Sequence, residues 1–236
     1  MRNKMEKYRS DNLEEVVQFL RSEQGCPWDR AQTFESLRTC MLEEAYEYLA
    51  AVRIYEKTGN VENMREELGD LLLQVVMNSV IAQEMGLFDL HQVETEICEK
   101  MIRRHPNVFA GKSEGHEDGS QKSWDEIKKQ EKEGKEWIAS PLREIPMEHP
   151  ALIRAPKVLK KVDRLYETCP DEEETFAGME KILTELKTAE EDAREGILGE
   201  LFIQICNLGR IWKLPLELIV QDRIEELIEK YEPTNE

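Results

Sequence analysis

Two short acidic patterns carry the strongest chemical signal in this chain of 236 residues. Glu43, Glu44 and Glu47 form an EExxE run, and Glu67 and Asp70 form ExxD after nineteen intervening residues. On a helix, residues three or four apart share a face, so Glu44 and Glu47 point together, as do Glu67 and Asp70. Two such helices packed antiparallel gather their carboxylates around one point. Hard oxygen ligands without histidine or cysteine suit Mg²⁺, with Mn²⁺ able to substitute, rather than zinc. The alternative is a buried salt-bridge seam, with Arg or Lys from other helices neutralising the acids.

The pattern by itself is weakly selective. In a chain with 50 acidic residues among 236, about two EExxE runs are expected by chance. Glu225, Glu226 and Glu229 supply a second run, with no ExxD after it, and read as a solvated helix face. Context separates the two. Residues 40–52 hold no polar side chains beyond the three glutamates, the tyrosine hydroxyls and Cys40. In 67–82, apolar but for Ser79 and four other residues, Glu67, Asp70, Gln74 and Asn78 follow one another at steps of three and four, a single polar stripe on a helix expected to be otherwise buried. Unpaired carboxylates there would cost several kcal/mol each, on the order of about 3–5. A di-iron bundle would need Glu-x-x-His, and none of the four histidines has Glu three residues before it.

Lys100, Arg103 and Arg104 form a basic cluster in an acidic chain. Lys100 and Arg104 share a helical face and can hold a triphosphate, although basic residues also favour a helix C-terminus through its dipole. Trp28, within Gly25-Cys26-Pro27-Trp28-Asp29, stands where a rigid loop can offer an aromatic face to a base. Trp124 and Lys128 share a face of a short helix. Tryptophans at such places more often pack a core.

These residues need helices to position them. The pattern predicts a first helix from about Asp11, capped by Asp11 or Asn12, to Glu23, broken by the Gly25–Asp29 segment. A second runs from near Thr33, with Thr33 or Ser36 as cap, to Lys57, ended by Gly59-Asn60. A third spans Val61 to Met85 and stops at Gly86. A fourth spans Leu90 to Arg104 and stops at His105-Pro106. Residues 111–123 are polar and Gly/Ser-rich, expected as a mobile loop. A short helix follows from Trp124 to about Lys135. Residues 138–150, with Pro141, Pro146 and Pro150, read as a linker, and three or four helices end near Tyr231. No stretch alternates long enough for a sheet, so the fold class is all-α.

The formal charge of −18 repels a polyanion, so no nucleic-acid polymer is expected as partner. The five cysteines are scattered and form no CxxC pair, as expected of reduced thiols. There is no apolar leader, and the tract from Leu71 to Ala82 is too short and polar to span a membrane. The expectation is a soluble, cytoplasmic protein without a membrane partner.

The halves also resemble each other. ELGDLLLQVV at 67–76 aligns without gaps on ILGELFIQIC at 197–206, placing Gly69 on Gly199, Asp70 on Glu200 and Gln74 on Gln204. A duplicated helical unit is the simplest reading.

Taken together, these segments resemble the MazG family of nucleoside triphosphate pyrophosphohydrolases. The EExxE–spacer–ExxD pattern, GCPWDRAQTFESL (25–37), EELGDLLLQVV (66–76), RRHPNVFAG (103–111) and SWDEIKKQEK (123–132) carry the likeness over about residues 10–135. The resemblance implies a four-helix core in which Glu44, Glu47, Glu67 and Asp70 bind two Mg²⁺. Lys100 and Arg104 would contact phosphates, Trp124 and Lys128 would close over the nucleoside triphosphate, and the protein would be a homodimer or higher homo-oligomer. It implies tandem units: a catalytic domain over 1–137, a linker over 138–150, and a second copy over 151–236.

That second copy departs from the family's pattern. Aligned with the two motifs, it carries Ile182 and Ile197 where Glu44 and Glu67 stand, keeps Glu185 and Glu200, and has Leu227 and Tyr231 in place of Lys100 and Arg104. It is expected to be non-catalytic. The chemistry expected of the first copy is two-metal hydrolysis to monophosphate and pyrophosphate, with Glu43 or Glu47 accepting the water's proton. The rivals are a narrow dUTP-type hydrolase of the same superfamily and a non-catalytic helical interaction module.

Overall fold

The computed structural model describes residues 12–109 and 140–232, and every regular element among them is a helix. The chain divides into two compact units, 1–131 and 132–236.

In the first unit, Asn12 caps α1 (Leu13–Arg21) by accepting from the Glu14 amide at 3.0 Å. The segment expected to break this helix does so and then forms one helical turn, α2 (Pro27–Arg30), with Pro27 at its start. The main helix α3 (Leu37–Thr58) begins four residues after the expected start. The Leu37 amide nonetheless donates to the Thr33 carbonyl at 3.1 Å, and the backbone amides and hydroxyls of Thr33 and Ser36 bond reciprocally.

Gly59, at φ 73°, ends α3, and Asn60 caps α4 (Val61–Glu84), so a two-residue link returns the chain antiparallel. Gly86, at φ 69°, follows α4. Asp89 and Gln92 then form a capping box for α5 (Leu90–Arg104). A single turn, α6 (Pro106–Phe109), comes last.

α3 lies along α4, and α1 and α5 also pack on α4. Their core joins Val17, Leu37, Val76, Met77, Val80 and Ile81, with Leu13, Cys40, Leu73 and Leu90 against it. The core occupies the C-terminal half of α4. The acidic residues lie just beyond it, toward the helix's N-terminus.

The second unit holds α7 (Ala151–Tyr166), α8 (Glu172–Thr188), α9 (Glu191–Trp212) and α10 (Leu216–Tyr231). α8 lies along α9, and α7 packs on α9, repeating the α3–α4 and α1–α4 pairings of the first unit; α10 packs on α7. A polar network replaces part of an apolar centre. Asn207, almost fully buried, donates to Thr175 Oγ1 at 2.8 Å and to the Pro170 carbonyl at 2.9 Å. Arg210 bonds Asn207 Oδ1 and Asp163 Oδ2, both at 2.8 Å.

One expectation needs correction. α4 was expected to be buried around its polar stripe, but Leu68, Leu72 and Val75 are exposed on it, as are Leu42, Tyr46 and Leu49 on α3. Both sets fall at spacings of four and three, one stripe per helix, and they stay exposed among the described residues of the unit. The helix expected over 124–135 and the loop over 111–123 lie outside the described residues.

Candidate active site

The α3–α4 hairpin brings the two acidic patterns together. One carboxylate oxygen each from Glu44, Glu67 and Asp70 lies within 4.8 Å of the others, a group able to hold a metal ion. Glu67 is 9% exposed, and Glu44 and Asp70 are half-buried. Glu47 stands outside that triad, but its charge acts on both Glu44 and Glu67. Glu43 is exposed on α3 and acts on Glu44 more weakly than the other acids do.

The cluster is short of positive charge. Burial first, then the charges of Asp70, Glu47, Glu67 and Glu43, push the Glu44 carboxyl above its ordinary pKa. Burial and then Glu47 raise Glu67, with smaller pushes from Asp70 and Glu66. Asn63 works against that shift, its Nδ2 donating to Glu67 Oε1 at 2.7 Å. Sequence reasoning missed Asn63; its place four residues before Glu67 was the available signal. Among the described residues no Lys or Arg pairs with Glu44, Glu67 or Asp70. A salt-bridge seam therefore finds no cation there among the described residues. An oxygen-only set of mutually repelling carboxylates fits a hard divalent cation.

The basic cluster lies at the C-terminal end of α5, which packs on α4, with Arg103 and Arg104 on the last turn and Lys100 just before it. Lys100 and Arg104 are half-buried and Arg103 is exposed. Trp28 sits on the α2 turn with 62% of its surface exposed, so it is no core residue of this unit.

The turn that carries Trp28 is held from several sides. The Cys26 amide donates to the Leu20 carbonyl at 2.7 Å. Gln32 Nε2 donates to the Trp28 carbonyl at 2.9 Å, and Arg21 Nη1 to the Asp29 carbonyl at 2.6 Å. Arg21, a second residue that sequence reasoning missed, gave no local signal, because its partners Asp29, Gln32 and Glu84 lie 8, 11 and 63 residues away. Trp124 and Lys128 lie outside the described residues.

A helical hairpin carrying an oxygen-only carboxylate cluster defines the class: an all-α protein able to hold a hard cation. The pattern of the MazG nucleotide pyrophosphohydrolase domain matches residues 32–109, from just after the Trp28 turn to the end of α6. The chain is 37% identical over 227 residues to the nucleoside triphosphate pyrophosphohydrolase/pyrophosphatase MazG of Thermotoga maritima, covering 96% of this chain and 85% of that protein. It is 34% identical over 236 residues to the nucleoside triphosphate pyrophosphohydrolase of Escherichia coli K12, covering 94% and 85%. A similarly named protein of Mycolicibacterium smegmatis is 41% identical over 140 residues, covering 58% of this chain and 41% of its own length. The chain belongs to the MazG nucleotide pyrophosphohydrolase family.

Proposed function

We propose that this chain is a Mg²⁺-dependent nucleoside triphosphate pyrophosphohydrolase, converting NTP or dNTP and water to the monophosphate and pyrophosphate. The observation that carries this reading is the unpaired Glu44–Glu67–Asp70 cluster in a chain whose relatives over most of its length bear that activity in their names. Glu44, Glu47, Glu67 and Asp70 would hold Mg²⁺, with Mn²⁺ able to substitute. When bound, the metal lowers the pKa of water and neutralises charge on the phosphates.

The chain's own residues do the rest. Glu43 or Glu47, both solvent-facing, accepts the proton of the attacking water. Its oxygen bonds to the α-phosphorus as the α–β bridging bond breaks and pyrophosphate leaves. Lys100, Arg103 and Arg104 receive the phosphates, Trp28 stacks on the base, and Trp124 and Lys128 complete the substrate site.

Residues 1–137 form the catalytic unit in this reading, 138–150 the linker and 151–236 a non-catalytic second copy. The chain works as a homodimer or larger homo-oligomer. Its support is the pair of exposed apolar stripes, Leu42–Tyr46–Leu49 and Leu68–Leu72–Val75, which make the α3–α4 hairpin half of a four-helix bundle. Leu198 and Phe202, exposed on α9, stand at the positions aligned with Leu68 and Leu72. A Leu72→Glu chain is expected to sediment as a smaller species than the parent. The protein acts in the cytoplasm in this reading, and no helix among the described residues is long and apolar enough to cross a membrane.

The test is the set of products from a panel of ribo- and deoxyribonucleoside triphosphates with Mg²⁺, against an EDTA control. Monophosphate plus pyrophosphate, lost with EDTA, is expected. Turnover of dUTP alone would select the narrow hydrolase. Diphosphate plus phosphate, or no product at all, would overturn the reading.

A further inference from the structure

Gln74 stands apart from Glu67 and Ser79, the other buried polar residues of α4. It lies four residues beyond Asp70 and seven beyond Glu67, on the same helical stripe, at the boundary between the carboxylate cluster and the apolar core. Only 7% of it is exposed. Its side-chain carbonyl oxygen, Oε1, is buried and receives no hydrogen bond. Such an orphan acceptor is costly, because its water has been stripped without replacement. Three other polar side chains of this helix are served within it. Asn78 Nδ2 donates to the Gln74 backbone carbonyl at 2.8 Å, Ser79 Oγ to the Val75 carbonyl at 2.9 Å, and Asn63 Nδ2 to Glu67 at 2.7 Å.

The second unit provides an internal comparison. Gln204, aligned with Gln74, donates from Nε2 to Glu200 Oε1 at 2.9 Å and is half-buried. That unit has isoleucine at two of the four acidic positions, and its glutamine settles on its own helix. Gln74 does not, although Asp70 stands where Glu200 stands. Helical side chains lean toward the N-terminus of their helix, which aims Gln74 at the level of Asp70 and hence at the cluster. When ionised, as metal ligands are, the carboxylates there are acceptors only and cannot satisfy Oε1. An O–H donor entering with whatever the cluster binds would satisfy it.

We propose that Gln74 is a further binding residue of this site, its side-chain carbonyl accepting a hydrogen bond from an O–H donor that enters with the ligand. Two sources supply that chemistry: the hydration shell of a divalent cation and a sugar hydroxyl of a nucleotide. The inference rests on the carboxylate cluster being a metal and nucleotide site. It gives the glutamine a role that neither packing nor the acidic motif requires.

The test replaces Gln74 with Met, similar in length and without the acceptor, and with Glu, which keeps an acceptor oxygen. Without metal, Gln74→Met is expected to melt about 2–5 °C higher than the parent, since the orphan is gone. In the first arm, Mn²⁺ alone is titrated by calorimetry. In the second, an α,β-imido nucleoside triphosphate is compared with its 2′,3′-dideoxy counterpart at fixed Mg²⁺. Cation affinity weakened about 10-fold in Gln74→Met, and retained in Gln74→Glu, assigns the hydration shell. A preference for the hydroxyl-bearing nucleotide, present in the parent and absent in Gln74→Met, assigns the sugar.

If both affinities are unchanged in Gln74→Met, or if Gln74→Glu loses them equally, the glutamine is a packing residue and the proposal is overturned. A parent chain that binds neither Mn²⁺ nor nucleotide removes the functional reading as well. A parent that binds both, with Gln74→Met indistinguishable from it, removes only this inference.

Discussion

Arg21 and Glu84 join the first and third long elements of the first unit through a two-point contact, Nε to Oε1 at 2.9 Å and Nη2 to Oε2 at 2.7 Å. The remaining guanidinium nitrogen, Nη1, donates to the carbonyls of Asp29 at 2.6 Å and Gln32 at 3.2 Å. One planar group thus ties α1 to α4 and fixes the turn that presents Trp28. The second unit reaches a similar result with the charges exchanged between helices. Arg210 of α9 holds Asp163 of α7, and its Nη2 reaches the Pro170 carbonyl of the following loop at 3.4 Å.

The fork geometry makes Arg21→Lys non-conservative, since an ammonium cannot serve two carboxylate oxygens and two carbonyls at once. Arg21→Lys is expected to cost about 2–3 kcal/mol, the scale for losing charge-assisted bonds at a buried group. A lowered urea midpoint with an unchanged slope would report it. Glu84 is the more exposed partner, so Glu84→Gln should cost less. Equal losses for both variants would mean that the carbonyl contacts contribute little.

Much of this arrangement was legible in the sequence because its signals are local. Asn60, Gly59, Gly86 and the Asp89/Gln92 pair each act within one turn, and the helix ends fall beside them. The acidic triad was legible because helical spacing sets which side chains share a face. What stayed hidden depends on distant segments or on surface that the chain does not cover. Arg21 and Glu84 are 63 residues apart. The apolar run of α4 predicts burial all round, and only the packed unit reveals that Leu68, Leu72 and Val75 form an exposed stripe. Gln74 was visible on the polar stripe, but its missing partner is a property of packing.

The raised carboxyls of Glu44 and Glu67 set a pH dependence with a definite sign. In the folded, metal-free chain both bind their protons more tightly than in the unfolded chain. Their stabilising contribution is fully present below the ordinary carboxylate pKa and is lost as pH rises through the raised values. With EDTA, the melting temperature should therefore rise as pH falls from neutrality into that window. A divalent cation needs the deprotonated groups, so the melting shift produced by Mg²⁺ should grow with pH over the same window. Melting curves with and without Mg²⁺ between roughly pH 5 and 8 test both halves. A Mg²⁺-induced shift that is constant across that range would contradict the linkage.

Gly25 is required by close approach. A Cβ built there would lie 2.2 Å from each of the Leu20 and Phe19 carbonyl oxygens. Those atoms belong to the last turn of α1, which cannot move without disturbing the Cys26 amide bond to Leu20 at 2.7 Å. Gly25→Ala is expected to destabilise the first unit by roughly 2–4 kcal/mol. It should also displace the exposed Trp28, whose fluorescence is a local readout once Trp124, Trp137 and Trp212 are exchanged for Phe. A fully folded Gly25→Ala chain with parental stability and emission would show that the turn tolerates a different path.

The two units are expected to respond oppositely to loss of charge. Glu44 belongs to the oxygen triad of the first unit, and exchanging it for Gln removes a charged ligand while easing repulsion among the remaining acids. Glu44→Gln should lower turnover by at least about 100-fold and leave the metal-free chain at least as stable as the parent. Glu185 and Glu200 are exposed on α8 and α9, with isoleucines at the other two aligned positions. The double change Glu185→Gln, Glu200→Gln should keep turnover within about 2-fold of the parent, as expected for sites outside the reacting cluster. Product assays on both variants, with circular dichroism to confirm the helices, decide the matter. If Glu44→Gln keeps parental turnover, the first unit does not carry the chemistry. If the double variant loses it, the second unit contributes to catalysis despite its aliphatic replacements.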